Sequence, residues 1–144
     1  MRVTTQSDYA FRVLIFAALH GDRPARIADI AQKYGISKSH LTKVVWHLSE
    51  AGFLVTSRGR RGGLRLARPP EDINLGDVLR KIEDNRSLVE CFGPGNACVI
   101  TPACAARRMF REAQEAFFSV FDKYSLADLL TRRSALEELL LETV

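Results

Sequence analysis

Three cysteines carry the most pointed chemistry in this chain. Cys91, Cys98 and Cys104 are its only cysteines, with six residues between the first pair and five between the second. Thiolate sulfur is a soft donor that suits an iron–sulfur cluster, copper(I) or zinc. Gly93, Pro94, Gly95 and Pro102 forbid a continuous helix through the stretch, so the backbone is expected to loop around what the sulfurs hold. A disulfide would leave one cysteine over. Structural zinc commonly brings a closely spaced cysteine knuckle and a nearby fourth ligand. Here the spacings are wider, and His20, His40 and His47 all lie far upstream. The pattern points to an iron–sulfur cluster with an open or unusual fourth site.

A second group of residues suits nucleic acid. The formal charge is only +4, but it is unevenly placed. Residues 1–68 hold 12 Lys and Arg against 4 Asp and Glu, a net of +8, while residues 69–144 hold 9 against 13, a net of −4. A basic first half is an electrostatic footprint for a polyanion. Within it, Ser37, Lys38, Ser39, His40, Thr42 and Lys43 open one predicted helix with the short polar and cationic groups that base edges and phosphates accept. A merely solvated helix face is the other reading of that pattern. Trp46 lies on the same side and suits a partner subunit better than DNA. Further on, Arg58, Arg60, Arg61, Gly62 and Gly63 make an arginine- and glycine-rich tip. Arginine is drawn to the negative potential of a narrow minor groove, and glycine lets a tip enter it. A nucleotide-phosphate loop would need Gly-Lys-Ser/Thr and a following helix, and neither is present.

The elements that must position these groups can be read in order. Ser7 is expected to cap a helix that runs to His20 and stops before Gly21. Its interior is apolar nearly all round, which marks it as the buried helix of the first half. Ile27, Ile30, Ala31 and Tyr34 recur at helical spacing. Gly35 turns the chain, and Ser37 caps a third helix whose Leu41, Val44, Val45 and Leu48 face inward until Ala51-Gly52. Two short helices about a glycine turn form a helix-turn-helix. Phe53 to Ser57 and Leu64 to Leu66 then read as the two strands of a wing. After Pro69-Pro70, Asn74 caps a helix from Leu75 to about Glu83.

After the cysteine loop a long helix is expected to start near Pro102 to Ala105 and extend to about Tyr124. Ala106, Met109, Phe110, Ala113, Phe117, Val120, Phe121 and Tyr124 form its apolar stripe. That stripe exceeds what a small neighbouring domain covers, which predicts pairing with a second copy. Ser125 caps a short helix from Leu126 to Leu130, and Leu136, Leu139 and Leu140 complete the apolar face. The fold class is therefore mainly α with a small β-hairpin wing. Residues 1–68 are expected to form a winged helix-turn-helix DNA-binding domain. Residues 69–104 would be a connecting helix and cluster-binding loop, and residues 105–144 a dimerisation helix with C-terminal helices. The longest wholly apolar run, Val13 to Leu19, is too short to span a membrane, and a cytoplasmic protein is expected. No nucleophile–base pair, dinucleotide loop or carboxylate dyad accompanies the cysteines, so no enzyme is expected.

These residues resemble the winged-helix iron–sulfur transcriptional regulators, and among them the nitric-oxide-sensing repressors. The motifs are Met1-Arg-Val-Thr-Thr-Gln-Ser-Asp-Tyr-Ala10, Arg58-Gly-Arg-Arg-Gly-Gly-Leu-Arg-Leu66, Cys98-Val-Ile-Thr-Pro-Ala-Cys104 and Tyr124-Ser-Leu-Ala-Asp-Leu-Leu130. Together they cover nearly the whole chain. Members that regulate cluster assembly carry a histidine shortly after the third cysteine, where this chain has Arg107. The Glu90-Cys91-Phe92 entry is similar to iron-responsive members, which leaves iron or redox state as an alternative signal. The resemblance implies a homodimer in which Cys91, Cys98 and Cys104 bind a cluster at the subunit interface, [4Fe–4S] first and [2Fe–2S] second. It implies Asp8 of the partner subunit as fourth ligand, although an acid at a helix N-terminus also has a plain electrostatic reason to be there. The implied function is a repressor that binds double-stranded operator DNA and releases it when nitric oxide nitrosylates the iron. A DNA-binding protein with structural zinc is the remaining alternative.

Overall fold

A computed structural model describes residues 3–83 and 87–142, so Met1 and Arg2 of the opening motif lie outside the described residues. Six α-helices and one hairpin follow in order: α1 (Thr5–His20), α2 (Ile27–Tyr34), α3 (Lys38–Glu50), β1 (Leu54–Ser57), β2 (Gly63–Leu66), α4 (Leu75–Ile82), α5 (Ala105–Phe121) and α6 (Arg133–Leu140). Short 3-10 turns lie between them at Pro70–Asp72, Glu90–Phe92, Thr101–Ala103 and Leu126–Leu130. This is the expected mainly helical architecture with a hairpin wing.

The packing is centred on α1. Ala10, Val13, Leu14, Phe16, Ala17, Ala18 and Leu19 are all buried, more of the helix than one partner could cover. Accordingly α3, β2, α4, α6 and the Leu126–Leu130 turn all rest against it. Its start differs from expectation. Thr4, not Ser7, is the cap: the Ser7 N–H donates to Thr4 Oγ1 at 3.3 Å. Ser7 instead sits fully buried inside the first turn, and its hydroxyl donates to Glu83 Oε2 at 2.6 Å. The same carboxylate oxygen accepts from Thr4 N at 3.1 Å and Thr4 Oγ1 at 3.0 Å. A run of Thr and Ser offers several caps, and the long-range carboxylate selects among them.

The helix-turn-helix and wing match the patterning. Ser37 Oγ accepts from His40 N at 3.3 Å, and Leu41, Val44, Val45 and Leu48 are buried. The hairpin is antiparallel with Leu54 opposite Leu66 and Ser57 opposite Gly63, so Phe53 is buried but outside the strand and Gly63 joins it. The segment before α2 anchors the hairpin, with Ala25 N donating to Leu64 O at 2.9 Å and Leu64 N to Ala25 O at 2.8 Å.

The later helices form a rim. Asn74 caps α4 through Asp77 N, and Leu75, Val78, Leu79 and Ile82 are buried. The Asn74 amide also donates to Asp122 O at 2.8 Å, while Leu75 N donates to Tyr124 O at 3.0 Å. These bonds draw the chain out of α5 after Phe121, three residues before the expected end. Arg80 pairs with Asp122, and its hydrogen bonds hold that carboxyl below its ordinary pKa. No residue of α5 is buried, and Met109 (60% exposed) and Phe110 (43%) stand in the open. Of the last leucines, Leu140 is buried and Leu136 half-buried, but Leu139 is 73% exposed. A short helix at the rim turns only one edge of its stripe inward.

The Glu83 tie has a measurable signature. Glu83→Ala should cost about 2 kcal/mol, because it strands a buried hydroxyl and a backbone N–H, and Ser7→Ala about 1 kcal/mol. Denaturant titration of both and of the double variant checks this, with a double-mutant loss smaller than the sum of the two.

Candidate nucleic-acid interface and thiol loop

The start of α3 presents a continuous polar surface. Ser37, Lys38, Ser39, His40, Thr42, Lys43 and Trp46 are all exposed, while the opposite face of the helix is core. Thr42 Oγ1 donates back to Lys38 O at 2.8 Å, and the Ser37 and Ser39 hydroxyls lie 3.2 Å apart. Local bonds of this kind hold the short side chains close to the helix. Lys38 and Lys43 are exposed beside them.

At the wing, Arg58, Arg60 and Arg61 are exposed, and no ion pair found among the described residues engages them. Gly62 N donates to Gly59 O at 2.9 Å and closes the tip. The two glycines that follow the arginines are needed for space. A Cβ on Gly62 would stand 2.3 Å from Ser57 O, and one on Gly63 2.5 Å from Ala25 O. Neither clash involves a flexible side chain that could move aside. The wing therefore keeps its tight turn and its seat against Ala25 only with glycine at both positions.

One contributor to this surface was not legible in the pattern. The first turn of α1 meets α3 across a cleft of about 320 Å³ lined by Thr4, Thr5, Gln6, Tyr9, His40, Lys43 and Val44. The Tyr9 and His40 rings lie 6.4 Å apart, and Gln6 Nε2 is buried there without a hydrogen-bond partner among the described residues. Periodicity places Tyr9 on a helix, but only the crossing of α1 over α3 brings it beside His40. Thr4 thus lines the cleft on one side and bonds Glu83 on the other.

Glu83 closes α4, the last helix before the thiol loop. In that loop Cys91 and Cys104 are half-buried, Cys98 is exposed, and all three are free thiols. The loop is tied mainly to itself. Ala97 N donates to Glu90 Oε1 at 2.9 Å, Cys98 N to Asn96 Oδ1 at 3.1 Å, and Thr101 Oγ1 to Cys98 O at 2.7 Å. The Arg111 guanidinium lies 5.9 Å from the Phe92 ring centre and links the loop to α5. Val99 and Ile100 stand exposed at its outer edge.

The donor chemistry fits an iron–sulfur cluster, since three unpaired soft thiols share one short loop with cationic side chains beside it. The arrangement in the single chain is not preassembled. Among the described residues, no group of three His, Cys, Asp or Glu side chains is placed to hold a metal ion. Asp8 does not join the thiols in the same chain. It is exposed on α1, and its Oδ2 accepts from Arg12 Nη2 at 2.8 Å.

Comparison with known proteins places this architecture. A family model described as "Rrf2: Iron-dependent Transcriptional regulator" matches residues 3–132. The chain is 49% identical over 144 residues to the HTH-type transcriptional regulator NsrR of Geobacillus kaustophilus, covering 99% of this chain and 98% of that one. It is 45% identical to the protein of the same name from Bacillus subtilis, over 97% of each. Among solved structures it resembles CymR, the global cysteine regulator of B. subtilis, with a TM-score of 0.71, 26% identity, and coverage of 92% and 98%. T. potens IscR gives a TM-score of 0.73 at 25% identity, with coverage of 92% and 88%. With a family match over most of its length, close relatives of nearly equal extent and a winged helix-turn-helix fold, this chain belongs to the Rrf2 family of DNA-binding transcriptional regulators.

Proposed function

We propose that the chain is a homodimeric repressor that binds double-stranded operator DNA and releases it in response to nitric oxide. In this reading residues 1–68 read the DNA, residues 69–104 hold an iron–sulfur cluster, and residues 105–144 join two copies in the cytoplasm. The observation that carries the coupling is Thr4, which lines the cleft against α3 and also bonds Glu83 at the end of α4. Thr4 thereby joins the wall of the cleft beside α3 to the end of the helix that precedes the thiol loop.

Cys91, Cys98 and Cys104 would hold the cluster, [4Fe–4S] in the leading version and [2Fe–2S] in the second. When bound, the group supplies iron that reacts with nitric oxide. Asp8 of the partner subunit would be the fourth ligand, and a hard carboxylate oxygen would hold that iron more weakly than a thiolate does. Arg12 engages Asp8 through Oδ2, which leaves Oδ1 as the ligating oxygen, and the Arg12 guanidinium also lies over the Tyr9 and Tyr34 rings at 5.5 and 5.6 Å. Linkage then requires the thiolates to hold their ligand more tightly in the DNA-competent arrangement than in the other. The α5 stripe supports the dimer, since its exposed Met109, Phe110 and Val120 lack cover within one chain.

On the DNA side, α3 would enter the major groove with Ser37, Lys38, Ser39, His40, Thr42 and Lys43, and the wing arginines the adjacent minor groove. An iron or redox signal is a second reading. It is favoured by the iron-dependent description of the matching family model and by the Glu90-Cys91-Phe92 entry.

Four outcomes are expected. Replacing Cys98 with Ala should abolish the visible absorption of anaerobically reconstituted protein and the operator binding that depends on it. Nitric oxide should bleach wild-type protein and free the DNA. Release by iron chelation but not by nitric oxide would favour the second reading, and a colourless zinc-loaded protein would remove both. Lys43→Ala and Arg60→Ala should each weaken DNA binding and lower the slope of log affinity against log salt by about 1, measured by fluorescence anisotropy. Phe110→Glu should halve the mass seen in sedimentation without changing the helical circular dichroism, because the side chain is not part of the monomer core.

A further inference from the structure

The chain has a single tryptophan, and it stands on the face of α3 that the core leaves free. Trp46 is 58% exposed, and its ring contact is an edge-on one with the neighbouring His47 at 4.8 Å. Ser39, Thr42, Lys43 and Trp46 fall at i, i+3, i+4 and i+7, so they share one stripe of the helix. A lone exposed apolar residue needs no explanation. A large indole in line with the side chains offered to a polyanion does have a specific opportunity.

Two occupants suit such a ring: a second copy of the chain or the DNA itself. The charges around it decide between them. Lys38, His40 and Lys43 lie on or beside the same stripe, and the wing that follows α3 carries three exposed arginines. Pairing this face with its own copy would bring like charges together, which costs free energy. DNA supplies the opposite charge. Seven residues of helix span about 10 Å, less than the roughly 12 Å width of the major groove, so Trp46 is within reach of the groove when Ser39 is presented to base edges. The apolar feature there is the 5-methyl group of thymine.

We propose that Trp46 is a specificity-determining residue that packs on a thymine methyl in each operator half-site. The proposal rests on α3 being the reading helix. It goes beyond that reading by naming the base and the group recognised.

The test uses full-length protein purified anaerobically and a duplex recovered with it from a random-sequence library. Saturating duplex should quench and shift the emission of the sole tryptophan. Trp46→Ala should weaken binding at least about fivefold, with Trp46→Phe in between. Replacing thymines singly by deoxyuridine removes only the methyl. One symmetry-related position should cost the wild-type protein about fourfold and the Trp46→Ala protein nothing. Equal effects of every replacement on both proteins would overturn the thymine assignment. So would emission that ignores DNA and follows protein concentration, as a subunit contact requires. If Lys43→Ala weakens binding and Trp46→Ala does not, this proposal alone fails. If neither does, the reading of α3 fails with it.

Discussion

The structure depends on one apolar helix that cannot be left uncovered. Ala10, Val13, Leu14, Phe16, Ala17, Ala18 and Leu19 of α1 are all removed from water. Each large side chain buried this way contributes about 1.5–3 kcal/mol. No single neighbour can supply that cover, so the helix-turn-helix, the wing base, α4 and α6 are gathered around it. The polar exception is Ser7, fully buried in the first turn, and it is tolerable only because Glu83 accepts its hydroxyl. Packing and hydrogen bonding therefore coincide at the point where α1 meets the last helix before the thiol loop.

That coincidence ties the cleft beside α3 to the end of α4. The first turn of α1 forms one wall of the cleft beside His40 and Lys43, and its Thr4 is bonded to Glu83. The thiol loop is comparatively independent, with Glu90, Asn96 and Thr101 bonding within it. A segment closed on itself and joined to the rest through a few contacts can rearrange without unfolding the core. The α5 helix has the complementary property. It is anchored at its end by Arg80, Asp122 and Asn74, yet its apolar stripe is left bare along most of its length.

Electrostatics divide the molecule in the same way. In the basic first half, Lys38 and Lys43 of α3 and Arg58, Arg60 and Arg61 of the wing tip have no carboxylate partners among the ion pairs found, whereas Arg12 pairs with Asp8. The later half spends its arginines on internal ties, as with Arg80 on Asp122 and Arg133 on Glu137. Unpaired cations on one face attract a polyanion, while paired ones are nearly silent at a distance.

Much of this was legible in the chain itself, because local physics decided it. The four inward residues of α3, the Ser37 and Asn74 caps, the Gly35 turn and the arginine-glycine tip each follow from spacing or backbone preference within a few residues. Of the family motifs, Arg58 to Leu66 lies in these segments. Other features needed the tertiary structure. Ser7 and Thr4 are equally good caps by type, and Glu83, nearly eighty residues away, settled which one turned inward. The end of α5 was set by hydrogen bonds from Asn74 and Leu75, and the exposure of Leu139 by how little core remained for α6. The thiols show the same division: sequence alone determined their soft-donor chemistry and shared loop, while the folded single chain decided that they are not drawn together with Asp8. Spacing along a chain limits what groups can meet, but whether they do depends on packing between distant elements.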